Sequence, residues 1–179
     1  MIFTETSIPG AFVIDLEQRR DDRGFFARAW CAHEFEDHGL NSRLVQVNLS
    51  FNERSGTLRG MHLQRSPHEE AKCVRCTRGA IYDVVLDLRP DSHAYKRWEA
   101  VELTADNRRM LYVPEGCAHG YQTLSDDTET LYQVSEFYAP DSEDGVRWDD
   151  QTFGIEWPDS PERTLSPKDA SWPDFRGEP

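Results

Sequence analysis

The feature that most limits what this chain can become is its rhythm: short β-rich runs, separated by turns about every ten residues, with almost no helical periodicity. Phe12 to Leu16, Leu44 to Phe51, Cys73 to Cys76, Ile81 to Leu88, Trp98 to Leu103, Met110 to Val113 and Glu129 to Tyr138 all read as strands. Phe25 to Trp30 reads as another, entered through the turn Asp21-Asp22-Arg23-Gly24. Only Cys31 to Leu40, closed by Gly39, reads as a short helix. This cadence predicts an all-β sandwich or barrel. Residues 1–179 form one domain by length, with a loop-rich, acidic, proline-containing tail over 158–179. With 5 Trp, 6 Tyr and 9 Phe, the chain can fill a core without staples.

Net charge is −13, from 20 Lys and Arg against 33 Asp and Glu. The surface as a whole therefore repels nucleic acid and anionic membranes, so an anion site has to be a local cluster of cations. Met1 to Glu5 carries neither a basic segment nor a long apolar run, so no signal peptide is expected, and no stretch has the length of a membrane span. A reducing, cytoplasmic setting follows for Cys31, Cys73, Cys76 and Cys117. Cys73 and Cys76 have CxxC spacing but lie in a strand-like run, without a turn to bring two thiolates together. Zinc or redox chemistry is not expected there.

Chemistry concentrates between Gly56 and Lys72. Two glycines and Pro67 divide this stretch into strand, loop and strand, which puts Arg59, His62, Gln64 and Lys72 in one hairpin-sized unit. Two cations beside an imidazole suit an anionic ligand with a proton to lose. Strict pleating sets Arg59 and His62 on opposite sheet faces unless Gly60 permits a bulge. Gln46, Asn48 and Ser50 share one face of their strand, where they either meet solvent or read a ligand. A second dense stretch, Pro114 to Gln122, carries His119.

Gly56 with His62, and Pro114-x-Gly116-x-x-His119, resemble the two motifs of the cupin superfamily, small β-barrels of the jelly-roll type. Gln64 stands where metal-binding cupins have the second histidine of His-x-His, which implies a metal-free member. The likeness sharpens with Arg23-Gly24-Phe25-Phe26, Leu58 to Gln64, Lys72, Gly79 to Val84, Asp87-Leu88-Arg89 and Val113 to Gly120. Leu131-Tyr132, Gly154 to Pro158 and Leu165 to Asp169 extend it, and together these segments resemble the dTDP-4-dehydrorhamnose 3,5-epimerase family over about residues 20 to 170.

The resemblance implies a jelly-roll cupin without metal or cofactor, acting on a 4-keto-6-deoxy sugar carried by a nucleoside diphosphate. It also implies a role in deoxysugar synthesis and a homodimer that exchanges N-terminal strands. The hydrogens on C3 and C5 are both α to the C4 ketone, so losing either gives an enolate that a cation can stabilise. By the resemblance His62 is the base, Asp169 orients it, Tyr132 is the acid and Lys72 sits by the oxyanion at O4. Arg23, Arg59 and Lys168 are implied for the diphosphate, Tyr138 for the nucleobase, and Gln46 and Asn48 for the nucleotide. His119 and Glu143 are implied as further substrate contacts.

Arg28 stands in place of a glutamate common in the family, Gln133 in place of a lysine, and Ser66 to Ala71 in place of a more typical loop. These differences bear on nucleotide and sugar rather than on base, acid or cation. The competing readings are an epimerase acting at one carbon or a ketoisomerase, on a dTDP- or CDP-sugar; a metal-dependent cupin oxygenase; and a cupin that only binds a sugar nucleotide.

Overall fold

Phe12 and Ile14 are buried while Val13 and Asp15 are half-buried, the period of two that gives a strand one core-facing side. That pattern recurs along the chain. The computed structural model describes residues 1–177; Glu178 and Pro179, the end of the expected tail, lie outside the described residues. In chain order the elements are β1 (Ile2–Glu5), β2 (Phe12–Asp15), β3 (Arg19–Asp21), β4 (Gly24–Phe26), α1 (Ala32–Asp37), β5 (Gln46–Asn52) and β6 (Leu58–Gln64). They continue with β7 (Lys72–Arg78), β8 (Ala80–Asp87), β9 (Trp98–Thr104), β10 (Met110–Val113), β11 (Cys117–Thr123), β12 (Thr128–Val134) and β13 (Glu143–Gly145).

Two antiparallel sheets carry the fold, one ordered β1-β2-β10-β7-β12-β5 and the other β13-β6-β11-β8-β9. Strands that are neighbours in space come from distant parts of the sequence, as in a jelly roll. Val74, Cys76, Ile81, Val85, Leu111 and Val113 belong to one core cluster that both sheets supply. A second cluster lies on the other side of β7 and β10, where Phe35 of α1 packs with Cys73, Met110 and Tyr112. Cys73 and Cys76 therefore face opposite sides of one strand and cannot converge on a metal or on each other. Burial pushes their thiols up, to about 12 and about 11.

The segment that follows β13 does structural work. Val146, Phe153, Ile155, Trp157 and Phe175 pack on Met61, Leu63, Val84 and Leu86, covering the outer face of the second sheet. That cover explains why β8 and β11 are buried almost throughout rather than in alternation.

Several boundaries differ from expectation. β4 stops at Phe26 instead of running to Trp30, whose ring turns inward toward Phe35. β12 stops at Val134, so Glu136 and Tyr138 lie beyond it. β11 is masked in sequence by its glycine: Gly120 and Gly60 of β6 cross so closely that a Cβ on Gly60 would lie 2.6 Å from the Gly120 Cα. β1 and β13 are short edge strands that carry little pattern of their own.

Candidate active site

A cavity of about 400 Å³ opens between the two sheets, within the usual range for a small-ligand site. The first sheet contributes Gln46, Asn48 and Ser50 from β5, Lys72 from β7 and Tyr132 from β12. The second contributes Arg59, His62 and Gln64 from β6, with His119 and Tyr121 from β11. Tyr138, Glu143 and Glu70 line it as well.

Arg59 and His62 both reach this cavity because β6 bulges. His62 pairs with His119 and Arg59 with Tyr121, so three steps along β6 oppose two along β11. Gly60, at φ 130°, absorbs the extra residue. Arg59 is then held by its Nε–H, which donates to Asn52 Oδ1 at 2.7 Å.

His62 and His119 sit directly opposite one another, and each has its own carboxylate. His62 Nε2 lies 2.5 Å from Asp169 Oδ1. Asp169 comes from a 3-10 turn, Asp169–Ser171, that the tail lays against β6. Burial acts to raise its carboxyl, but the hydrogen bonds from His62, Ser166 and the Gly60 amide outweigh that and hold it below the ordinary value. Trp172 follows, its ring edge-on to His62 at 6.5 Å and so close to Gly145 that a Cβ there would collide with it. His119 Nε2 lies 2.7 Å from Asp83 Oδ1. Asp83 is fully buried, and its Oδ2 has no hydrogen-bond partner among the described residues. Desolvation outweighs the attraction of His119 and pushes this carboxyl up.

On the facing sheet, Lys72 is 8 % exposed, with Nζ 2.8 Å from Glu70 Oε1 and 3.4 Å from the His62 carbonyl oxygen. Tyr132 is half-buried, and its phenol is pushed up by burial first, then by Tyr121 and Glu70, against a smaller opposing pull from Arg59. A phenol so placed keeps its proton at neutral pH. One cavity thus holds an imidazole with an ionised partner on one wall, and a protonated phenol with an ammonium on the other.

The remaining sequence candidates are placed less uniformly. Tyr138 and Glu143 meet at the rim, where the tyrosine hydroxyl donates to Glu143 Oε2 at 2.7 Å. Lys168 is drawn to the same carboxylate, 2.5 Å from Oε1. Arg23 is not brought to the cavity within one chain: its side chain is 90 % exposed at the β3–β4 turn and pairs with Asp21. Gln64 is fully used by the fold. Its amide donates to the carbonyls of His68 and Phe137 and its Oε1 accepts from the Ala139 amide, so it serves as a loop brace. Reading by sequence missed Glu70, Tyr121 and the pairing of Asp83 with His119. Glu70 stands two residues before Lys72, just ahead of β7, and that proximity to a nominated cation is the signal that could have found it.

A family model described as dTDP-4-dehydrorhamnose 3,5-epimerase matches residues 5–177. The curated dTDP-4-dehydrorhamnose 3,5-epimerase of Salmonella typhimurium is 40% identical over 174 residues, covering 97% of this chain and 94% of that protein. The solved structure of the enzyme of that name from Elizabethkingia anophelis superposes with a TM-score of 0.95 at 35% identity, covering 98% of this chain and 97% of the other. A Legionella pneumophila dTDP-6-deoxy-D-glucose-3,5-epimerase, solved in complex with dTDP-4-keto-L-rhamnose, gives a TM-score of 0.89 at 34% identity, with 96% and 90% covered.

Proposed function

The chain belongs to the dTDP-4-dehydrorhamnose 3,5-epimerase family, and from that premise we propose that it epimerises C3 and C5 of a dTDP-linked 4-keto-6-deoxy sugar. The observation that carries the reading is the opposition of the two walls: His62 on one sheet, backed by Asp169 of the tail turn, and Tyr132 with Lys72 on the other sheet, across one cavity. His62 takes the proton on C3, and the C–H electron pair moves into the enolate with its charge on O4. Lys72 offsets that charge. Asp169, held ionised, steadies the imidazolium. Tyr132 then delivers its proton to the opposite face of the carbon and recovers one from solvent, while the His62 imidazolium gives its proton up to solvent. C5 follows the same course when the sugar ring turns. General acid and base steps of this kind each contribute about a hundred- to ten-thousandfold.

Arg59 is assigned to the diphosphate, Gln46, Asn48 and Tyr138 to the nucleoside, and His119 and Glu143 to further contacts with the substrate. Lys168 reaches the diphosphate only by leaving Glu143. The test is incubation in heavy water with dTDP-4-keto-6-deoxyglucose, following deuterium by NMR. Exchange at both carbons supports a double epimerase, exchange at one a single-carbon enzyme, and exchange at neither overturns the proposal.

The assembly we assign is a homodimer. On β5, an edge strand, the polar residues face the cavity while Val47, Leu49 and Phe51 are 54%, 60% and 45% exposed. An apolar outer face on an edge strand supports a covering partner. Such a partner also gives Arg23 a neighbouring cavity to reach. Leu49→Glu should halve the mass measured by light scattering; an unchanged mass would remove β5 from the interface. Among the described residues no helix is long and apolar enough to cross a membrane, and the four cysteines are free, which suits a cytoplasmic setting.

A further inference from the structure

The cavity holds a carboxylate that the mechanism above leaves without a role. Glu70 stands two residues before Lys72, its side chain only 12% exposed, with Oε1 2.8 Å from the lysine Nζ. The same ammonium lies 3.4 Å from the carbonyl oxygen of His62, on the strand that carries the base. An ammonium has three N–H donors. Two are taken by Glu70 and by the His62 carbonyl, and the third is left for the cavity. A lysine side chain is otherwise a flexible four-carbon stem that loses rotamer entropy when it is fixed. An isolated buried charge is also costly, and Glu70 offsets that cost.

We infer that Glu70 is a positioning residue for the reaction: together with the His62 carbonyl it fixes the Lys72 ammonium so that its remaining N–H points at the oxygen where enolate charge develops. The inference rests on the epimerase reading. It ties the cation to the base, because one ammonium bridges the Glu70 segment and the His62 strand. Glu70 has a second effect in the same direction. Its negative charge is among the causes that keep the proton on Tyr132, so one carboxylate supports both the cation and the acid.

The experiment is a double-mutant cycle on Glu70→Ala and Lys72→Ala, with Glu70→Gln as the variant that keeps volume and one acceptor, measured as kcat and KM with dTDP-4-keto-6-deoxyglucose. Misplacing a catalytic group by about an ångström can cost up to about a hundredfold. Glu70→Ala should therefore lower kcat about ten- to a hundredfold with KM within about threefold, and Glu70→Gln should recover part of the loss. Adding Glu70→Ala to Lys72→Ala should cost far less than Glu70→Ala costs alone, because the residue acts chiefly through the lysine and only weakly through Tyr132. A full additional loss on the Lys72→Ala background, or a raised KM with unchanged kcat, overturns the inference in favour of a structural or direct substrate-binding role. A readout without substrate keeps it separable from the epimerase reading: the ¹⁵N–¹H signal of the Lys72 ammonium should be resolved in the ligand-free wild type and lost to solvent exchange in Glu70→Ala. An inactive wild type with that signal difference would sink the epimerase reading alone. An unchanged signal would sink the role of Glu70.

Discussion

His62 and His119 face each other in register across β6 and β11, and each bonds through Nε2 to an aspartate Oδ1, at 2.5 and 2.7 Å. Their carboxylates nevertheless sit in opposite electrostatic states. Asp169 gathers donors from His62, Ser166 and Gly60, and its carboxyl is held down despite its burial. Among the described residues Asp83 has His119 alone, with its second oxygen left without a partner in the interior, and burial pushes it up. The difference lies in how each aspartate arrives. Asp83 is fixed on β8 inside the sheet and fully buried. Asp169 comes 107 residues after its histidine, on a tail turn braced by the Asp169 amide, which donates to the Ser166 hydroxyl. The same residue pair therefore serves two ends: one carboxylate stays ionised beside a base that gains and loses charge, and the other anchors an imidazole at a cost to the fold.

Removing the imidazoles should break the symmetry most visibly. His62→Ala should lower turnover by about a thousandfold or more and abolish exchange at both carbons, whereas His119→Ala should cost about ten- to a hundredfold and leave exchange at both. Equal losses would mean that the two pairs share the proton transfer. The aspartates sharpen the contrast. Asp169→Asn removes the charge opposite the imidazolium and should lower kcat by about a hundredfold or more, while Asp83→Asn should cost no more than about tenfold. Steady-state kinetics on the two variants decides this.

The smallest effect is on stability, and its sign differs between the pairs. Asp169 titrates below its ordinary 3.8 in the fold, so its stabilisation is complete above that pH and is lost as pH falls through the folded value. Asp83 titrates above 3.8, so its ionisation costs the fold increasingly as pH rises from there through its folded value. Melting at pH 7 should therefore fall for Asp169→Asn and rise for Asp83→Asn, each by about 2–4 °C per kcal/mol, with both differences closing toward low pH. Shifts of the same sign at pH 7 would end the distinction.

Much of this was legible in the chain. The alternation in Leu44 to Phe51 announced both the strand and the shared face of Gln46, Asn48 and Ser50, because a period of two fixes side-chain direction. Lys72, Tyr132 and His62 were nominated by motif, and the bulge at Gly60 was the condition for Arg59 and His62 to share a cavity. What stayed hidden depended on contacts rather than on pattern. Nothing near Asp83 in sequence shows that it reaches His119, because only the pairing of β8 with β11 brings the two together. The continuous burial of β11 follows from the segment after β13, Val146 to Phe175, folding back over the second sheet, which local composition does not encode. The exposure of Arg23 and the pairing of Lys168 with Glu143 likewise arise from where hairpin and tail come to rest.

The central claim is that base and acid stand on opposite walls of one cavity. The most direct test compares Tyr132→Phe with His62→Ala in heavy water on dTDP-4-keto-6-deoxyglucose, reading both deuterium content and configuration at C3 and C5 by NMR. The account predicts that Tyr132→Phe takes up deuterium with the original configuration retained, since the proton returns to the face it left, and that His62→Ala takes up none. Inverted product from Tyr132→Phe, or full exchange by His62→Ala, would contradict it.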